Sequence, residues 1–259
     1  MQRDGRNVKM AMFAHRVTGW SDEKFVQEYT GIHAKVTQQV SAMVPTLRSY
    51  IQTAIRPTSS NAKTVQNSHN NDMCSTLSWA SLNKLRASFR HPNYQATAKQ
   101  HVLIDGPKVG SLNQLIGDIV FDPIGYEKRK EAVVASLFIP RNASVLPKGS
   151  LLSDEDVAHR LDTLREAGAG SLLLRYVLNR DATPINPKEF FVNTPFDDGN
   201  WGNMGATEQV WFANEDDAAQ FFEKSRQSVL ESLPASFDAS SIISGWGKEI
   251  IVFKKDHDF

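Results

Sequence analysis

The chain has 259 residues, 41% of them hydrophobic and 22% charged, with 29 Lys and Arg against 29 Asp and Glu. That balance belongs to an ordinary globular protein, long enough to bury a core without disulfides or metals. It excludes the basic face of a nucleic-acid binder and the polybasic patch of a membrane-surface protein. Cys74 is the only cysteine, so no intrachain disulfide forms and a reducing compartment is expected. The polar N-terminus and the lack of a long apolar run lead us to expect a soluble, cytoplasmic protein.

The first predicted strand is Val8 to Arg16, with both alternating sets largely apolar, as in a strand covered on both faces. Gly19 and Trp20 turn the chain. Ser21 is an N-cap with Asp22 and Glu23 complementing the helix dipole. The stripe Phe25, Tyr29, Ile32, Val36, Val40, Met43 then keeps a helical period until Pro45. Leu47 to Ile55 alternates and is the second strand. Residues 56–72 are polar and read as a surface loop. Met73 to Ala80 is a third strand, Ser81 to Ser88 a short helix, His91-Pro92-Asn93 a turn, and Leu115 to Phe121 the fourth strand.

The order β-α-β-(loop)-β-α-β is the split βαβ of ferredoxin-like folds, and it then recurs. Val133 to Pro140 is a strand, and Ser153 caps a helix on Val157, Leu161 and Leu164. Ser171 to Asn179 is the next strand, followed by a long loop from Pro184 to Gly205. Thr207 to Phe212 is a strand, Asn214 caps a helix through Phe221, Phe222, Val229 and Leu233, and Glu249 to Phe253 closes the unit. Ser21-Asp-Glu and Ser153-Asp-Glu lie about 130 residues apart, which implies an internal duplication with its boundary in the charged connector around Glu127 to Glu131. The expected domains are 1–126, carrying the site, and 127–259, a degenerate copy. The expected fold is α+β: two fused ferredoxin-like repeats whose antiparallel sheets close as one pseudo-dimeric α/β barrel.

Residues 16–34 read Arg16-x-x-Gly19-x-Ser21-x-Glu23-x-Phe25-x-x-x-Tyr29-x-x-x-His33-Ala34, followed by Pro45, Tyr50 and Gln52. This pattern, with Asn93-Tyr94 and Leu103-Ile104-Asp105 further on, resembles the EthD-type branch of the dimeric α/β-barrel superfamily. His101 stands near where that branch carries an Asp-Glu pair, and Leu103 replaces its Phe. The resemblance covers about Val8 to Phe121. It implies domains that pair through their sheets, so a tandem chain holds both halves as a pseudo-twofold monomer or a weak homodimer. It also implies activities such as cyclisation, dehydration, decarboxylation or cofactor-free oxygenation in secondary metabolism. A fold hosts many chemistries, so the reaction stays open.

His33 lies about 60° from the centre of the apolar stripe, at the edge of the buried face, where an imidazole can move a proton. It is the candidate acid/base; the bland alternative is a core-edge histidine bonded to backbone. Tyr29 and Tyr50 are candidate donors to a developing oxyanion, although Tyr29, on the apolar stripe, reads more readily as core. Gln52, polar on the Tyr50 face, suggests a lined cavity. His15, Trp79, His101 and Asp105 complete the candidate binding residues: His15 at a strand end, Trp79 as packing or pocket wall, and His101 and Asp105 in the segment that closes over the cavity in relatives. In the second half Arg165 takes the place of His33, and His159 falls on the polar face. The loop from Pro184 carries Phe190, Phe191, Phe196 and Trp201, aromatics that cover a barrel end or a ligand.

No phosphate loop, metal-binding helix motif, cysteine cluster or nucleophile elbow is present, so no cofactor or metal is expected. The leading expectation is a cofactor-independent tailoring enzyme acting on a polyketide-like or aromatic small molecule by acid–base chemistry. A cofactor-free oxygenase or shape-driven cyclase is the enzymatic alternative. A non-catalytic carrier of a hydrophobic metabolite is the alternative of another class.

Overall fold

In the computed structural model, β1 (Val8–Arg16) is buried on both faces, as its doubly apolar alternation requires. The structure describes residues 8–55, 71–98, 103–121, 132–168, 173–194, 196, 200–201, 204–221 and 232–255, with the main chain alone at 98, 104–121, 165, 167–168 and 200. One face of β1, with Met10, Met12 and Ala14, joins a core containing Phe25, Tyr29, Leu77 and Trp79. The other, with Ala11 and Phe13, packs on Phe138, Met204 and Ile243 from the far end of the chain.

Ser21 caps the first helix, its hydroxyl accepting from the Lys24 amide at 3.2 Å. The helix comes in three parts: α1 (Asp22–Gln27), a π-helical turn over Glu28–His33, and α2 (Ala34–Met43). This corrects the expected unbroken stripe. A π turn holds more residues per turn than an α-helix, so it rotates the phase of everything after it. Ile32 and Met43, expected inside, are 47% and 41% exposed, while Tyr29, Ala34 and Val40 are buried. A uniform 100° step cannot anticipate that shift.

β2 (Leu47–Ala54) and β3 (Met73–Trp79) follow, then α3 (Leu82–Arg90) and α4 (Pro92–Ala98). The expected turn at His91-Pro92-Asn93 is instead the start of a helix, with Pro92 at the first helical position, where a missing N–H costs nothing. The expected fourth strand is only the end of β4 (Ile104–Phe121), an 18-residue strand. The second half supplies β5 (Val133–Pro140), α5 (Asp154–Gly168), β6 (Leu173–Asp181), a short α6 (Pro187–Phe190), β7 (Asn200–Trp201), β8 (Met204–Phe212), α7 (215–221) and β9 (Ile243–Lys254). The long loop from Pro184 therefore contains a helical turn and a strand. The stretch 222–231, expected to continue the last helix, lies outside the described residues.

The strands form one sheet in the order β1-β3-β2-β9-β5-β8-β6-β4-β7, and β4 pairs in addition with β1. Every pairing is antiparallel except β4 with β7. β4 is long enough to serve two neighbours: it meets β1 from Ile104 to Gln114 and β6 from Asn113 to Phe121, so the ladder runs from β6 through β4 to β1. β9 makes the other junction, pairing with β2 of the first half and β5 of the second. At that junction a Cβ on Gly247 would stand 2.1 Å from the Ala54 carbonyl oxygen, so only glycine allows the approach.

Each half buries its helices on one face of this sheet. The first core holds Phe25, Tyr29, Leu85 and Phe89; the second holds Val157, Leu164, Tyr176 and Phe221. Phe191, Phe196 and Trp201 belong by sequence to the second half but are buried in the first core, so the long loop straps one half to the other. No helix among the described residues is long and apolar enough to cross a membrane.

Candidate functional site

The π turn projects Tyr29 and His33 towards β2 and β3. Tyr29 is fully buried, and its hydroxyl donates to the Cys74 carbonyl at 3.1 Å and shares a hydrogen bond with the Ser75 hydroxyl at 2.9 Å. Ser75 also meets the Tyr50 hydroxyl at 3.2 Å. The Gln52 amide donates to the Tyr29 main-chain carbonyl at 2.7 Å and to the Tyr50 hydroxyl at 3.2 Å. Strand alternation explains why these side chains share a face: Tyr50 and Gln52 are two apart on β2, and Gln52 is registered opposite Ser75 on β3.

The half-buried His33 closes the group. Its ring centroid is 6.2 Å from that of Tyr29 and 5.9 Å from that of Tyr50, the latter edge-on. Two phenols, an amide, a hydroxyl and an imidazole thus converge within an otherwise apolar layer. Burial pushes the Tyr50 phenol up to about 12, outweighing the opposing hydrogen bonds from Ser75, Gln52 and Tyr29. Burial, then the neighbouring Tyr50, holds Tyr29 well above its ordinary value. Both phenols are therefore neutral near pH 7, which suits them to donate hydrogen bonds rather than act as phenolate bases.

Tyr94, on α4, adds a third phenol. Burial raises it, and Tyr50 is close enough to raise it further. Its ring lies 5.1 Å from Phe89, which in turn contacts Phe191 and Phe196 of the strap. Phe191 stacks on Trp201 at 4.2 Å with 5° between planes. An aromatic wall contributed by the second half thus adjoins the polar cluster of the first.

The structure brings together His33, Tyr29, Tyr50 and Gln52, but not all the sequence candidates. His15 alternates to the face of β1 opposite Met12 and Ala14, which belong to the core that holds Tyr29 and Tyr50. It is registered across from Asp105 on β4, whose side chain is outside the described residues. Asp105 thus belongs to a strand, not to a closing segment. Trp79 is fully buried, donates its indole N–H to the Ser88 hydroxyl at 2.8 Å and packs edge-on against Phe89; it is core. His101 lies outside the described residues. Ser75 and Tyr94 were missed. The alternation Met73, Ser75, Leu77, Trp79 puts Ser75 among core residues, a signal that was present; Tyr94 appeared only within the family pattern.

The matching layer of the second half is built differently. Tyr176 and Leu178 on β6 face Val210 and Glu208 on β8, as Tyr50 and Gln52 face Leu77 and Ser75. Glu208 accepts from the Arg160 Nε at 2.6 Å and from Nη2 at 2.9 Å, and both side chains are fully buried. This fork fills the space beside Tyr176. His159 is exposed, as expected, and the Arg165 side chain is outside the described residues. Among the described residues no group of three or more His, Cys, Asp or Glu side chains is placed to hold a metal ion.

The EthD domain model matches residues 18–106. The chain is 36% identical over 256 residues to the chalcone isomerase cfoK of Aspergillus candidus, covering 98% of this chain and all of that protein. Among solved structures, an anthrone oxidase-like protein superposes with a TM-score of 0.57 at 11% identity, covering 98% of this chain and 97% of the other. A mutant chlorite dismutase from Candidatus Nitrospira defluvii gives 0.50 at 10% identity, covering 93% and 90%. At those identities the likeness is one of fold.

Proposed function

The chain belongs to the EthD family, and from that membership and the cluster around His33 we propose that it is a tailoring enzyme that isomerises an aromatic, chalcone-like enone by acid–base chemistry. The relative of matching length is named for chalcone isomerisation. Closing a ring on a hydroxylated diaryl enone requires a phenolic proton to leave, an enolate oxygen to be held, and a proton to return to carbon. The observation that carries the reading is His33 at 5.9 Å from Tyr50, with Tyr50 tied to Gln52 and Ser75.

In this reading His33 takes the phenolic proton, a task suited to an imidazole near neutral pH. Tyr50, neutral because it is buried, donates to the developing enolate oxygen. Gln52, Ser75 and Tyr29 position Tyr50 rather than touch the substrate. Tyr94 and the strap aromatics form the aryl-facing wall. Nothing in this scheme calls on a cofactor. We further read the ladder from β6 through β4 to β1 as the closure of a barrel from two fused repeats, 1–126 and 127–259, with the Arg160–Glu208 pair occupying the second repeat's counterpart of the site. Such a chain works as a monomer.

The test is to incubate the purified protein with a 2′-hydroxylated chalcone and follow loss of enone absorbance together with the cyclised product. Run in D2O, catalysed ring closure places one deuterium on the carbon next to the carbonyl. Binding without turnover would leave the carrier reading.

A further inference from the structure

The hydrogen bonds behind Tyr50 are fixed in direction at one end and free at the other. Gln52 is the fixed end: its amide donates to the Tyr29 main-chain carbonyl at 2.7 Å, an atom that can only accept. The second amide hydrogen goes to the Tyr50 oxygen at 3.2 Å, so Tyr50 always accepts from Gln52. The hydroxyl contacts Tyr29–Ser75, at 2.9 Å, and Ser75–Tyr50, at 3.2 Å, can each run either way. Tyr29, Ser75, Tyr50 and Gln52 are all at most 2% exposed, so bulk water does not compete for these protons. Two arrangements use each hydroxyl proton once. In the first, Tyr29 donates to the Cys74 carbonyl at 3.1 Å, Ser75 donates to Tyr29, and Tyr50 turns its proton inward to Ser75. In the second, Tyr29 donates to Ser75 and Ser75 donates to Tyr50, whose oxygen then has two donors. The Tyr50 proton is thereby released to an acceptor outside this chain of hydroxyls. The two arrangements differ only by rotation of the Tyr29, Ser75 and Tyr50 hydroxyls.

We propose that Tyr29 and Ser75 form a reversible relay that turns the Tyr50 proton outward, making the site a receptor for aromatic oxyanions. The inference rests on the isomerase reading, in which a bound enolate selects the outward arrangement. Each donor in such a line polarises the next, so the relay favours a charged acceptor over a neutral one of the same shape. Tyr29 and Ser75 act through Tyr50 and are positioning residues. The Cys74 carbonyl is the resting acceptor, which holds the relay inward when the site is empty.

The experiment titrates 2-naphthol bound to the intact protein, since its anion absorbs at longer wavelength than its neutral form. The parent should hold naphtholate at a pH where the free compound is neutral, the proton passing to His33 or the buffer. Tyr50→Phe should lower the preference for anion over neutral ligand by up to about 10²–10³-fold. Tyr29→Phe keeps the ring in the core and removes no ligand contact, yet should lower that preference by about twofold to tenfold. Ser75→Ala should lower it at least as much, and Ser75→Thr, which keeps a hydroxyl, should restore part of it. A folded Tyr29→Phe protein that ionises bound naphthol as the parent does would overturn the relay. A parent that cyclises a chalcone but takes naphthol only as the neutral form, or not at all, also overturns the relay and leaves the isomerase reading standing. A parent that ionises naphthol through these residues yet turns over no chalcone supports the relay and overturns that reading.

Discussion

The Gln52 side-chain amide donates to the main-chain carbonyl of Tyr29 at 2.7 Å, joining β2 to the π-helical turn that carries His33. A π turn disturbs the regular hydrogen-bond ladder, and π turns recur at functional sites because they re-aim side chains. Gln52 thereby couples the position of the imidazole to that of Tyr50, its second acceptor. Gln52→Leu keeps the volume and removes the donor. Leaving that buried carbonyl without its partner should cost about 1–3 kcal/mol, read as a lower urea midpoint with an unchanged slope. If the turn also loses its setting, turnover should fall by more than stability explains.

The buried phenols set the alkaline limit of the fold. Tyr29, Tyr50, Tyr94 and Tyr176 are all raised, burial being the first cause in each. An unfolded tyrosine ionises near pH 10, so above that pH the unfolded chain holds fewer protons than the folded one. Stability should be unaffected below about pH 10 and fall as pH rises through 10 to 12, by up to about 1.4 kcal/mol per pH unit for each such group. Denaturation midpoints across this range check it, and Tyr50→Phe should flatten the slope by one group's share.

The Arg160–Glu208 fork predicts an asymmetric response. Removing one charge strands the other in the core, so Glu208→Gln should destabilise by about 3–5 kcal/mol. The paired change Arg160→Met with Glu208→Leu should recover most of that loss, since apolar replacements for a buried ion pair are often neutral. A double variant as unstable as the single would show that the pair does more than fill its layer.

How much of this was legible in the sequence depends on the range of the cause. The strand Val8–Arg16 and the Ser21 cap follow from alternation and local side-chain chemistry, and both stand where expected. That Tyr50 and Gln52 share one face of their strand was legible for the same reason, whereas their meeting with Tyr29 was not. The phase slip at Glu28–His33 was not, because a π turn has no residue signature that a constant helical step can detect. The burial of Arg160 was not legible, because it depends on Glu208, 48 residues away. The strap was legible as aromatics needing cover, but not as cover for the other half's core. His15 was legible as a strand-end residue, but the sheet face it takes, opposite Met12 and Ala14, was not.

The strap also predicts how the chain responds to cutting. Residues 1–126 alone lack Phe191, Phe196 and Trp201, all buried in the first core. That fragment exposes apolar surface and should be insoluble or self-associating, and 130–259 likewise. Sedimentation of the separate and co-expressed halves checks this: co-expression should restore a soluble one-to-one complex. Two stable monomeric halves would contradict the packing described here. In the full chain, Trp201→Ala should lower stability by about 3–5 kcal/mol.

The central claim is that His33 moves the proton, and turnover of a 2′-hydroxylated chalcone by His33→Ala tests it most directly. A positioned acid–base group contributes about 10²–10⁴-fold, so kcat should fall at least about a hundredfold while the thermal melt stays near that of the parent. His159→Ala, at an exposed position, should leave both unchanged. A folded His33→Ala protein that turns over the chalcone at the parent rate would contradict the account.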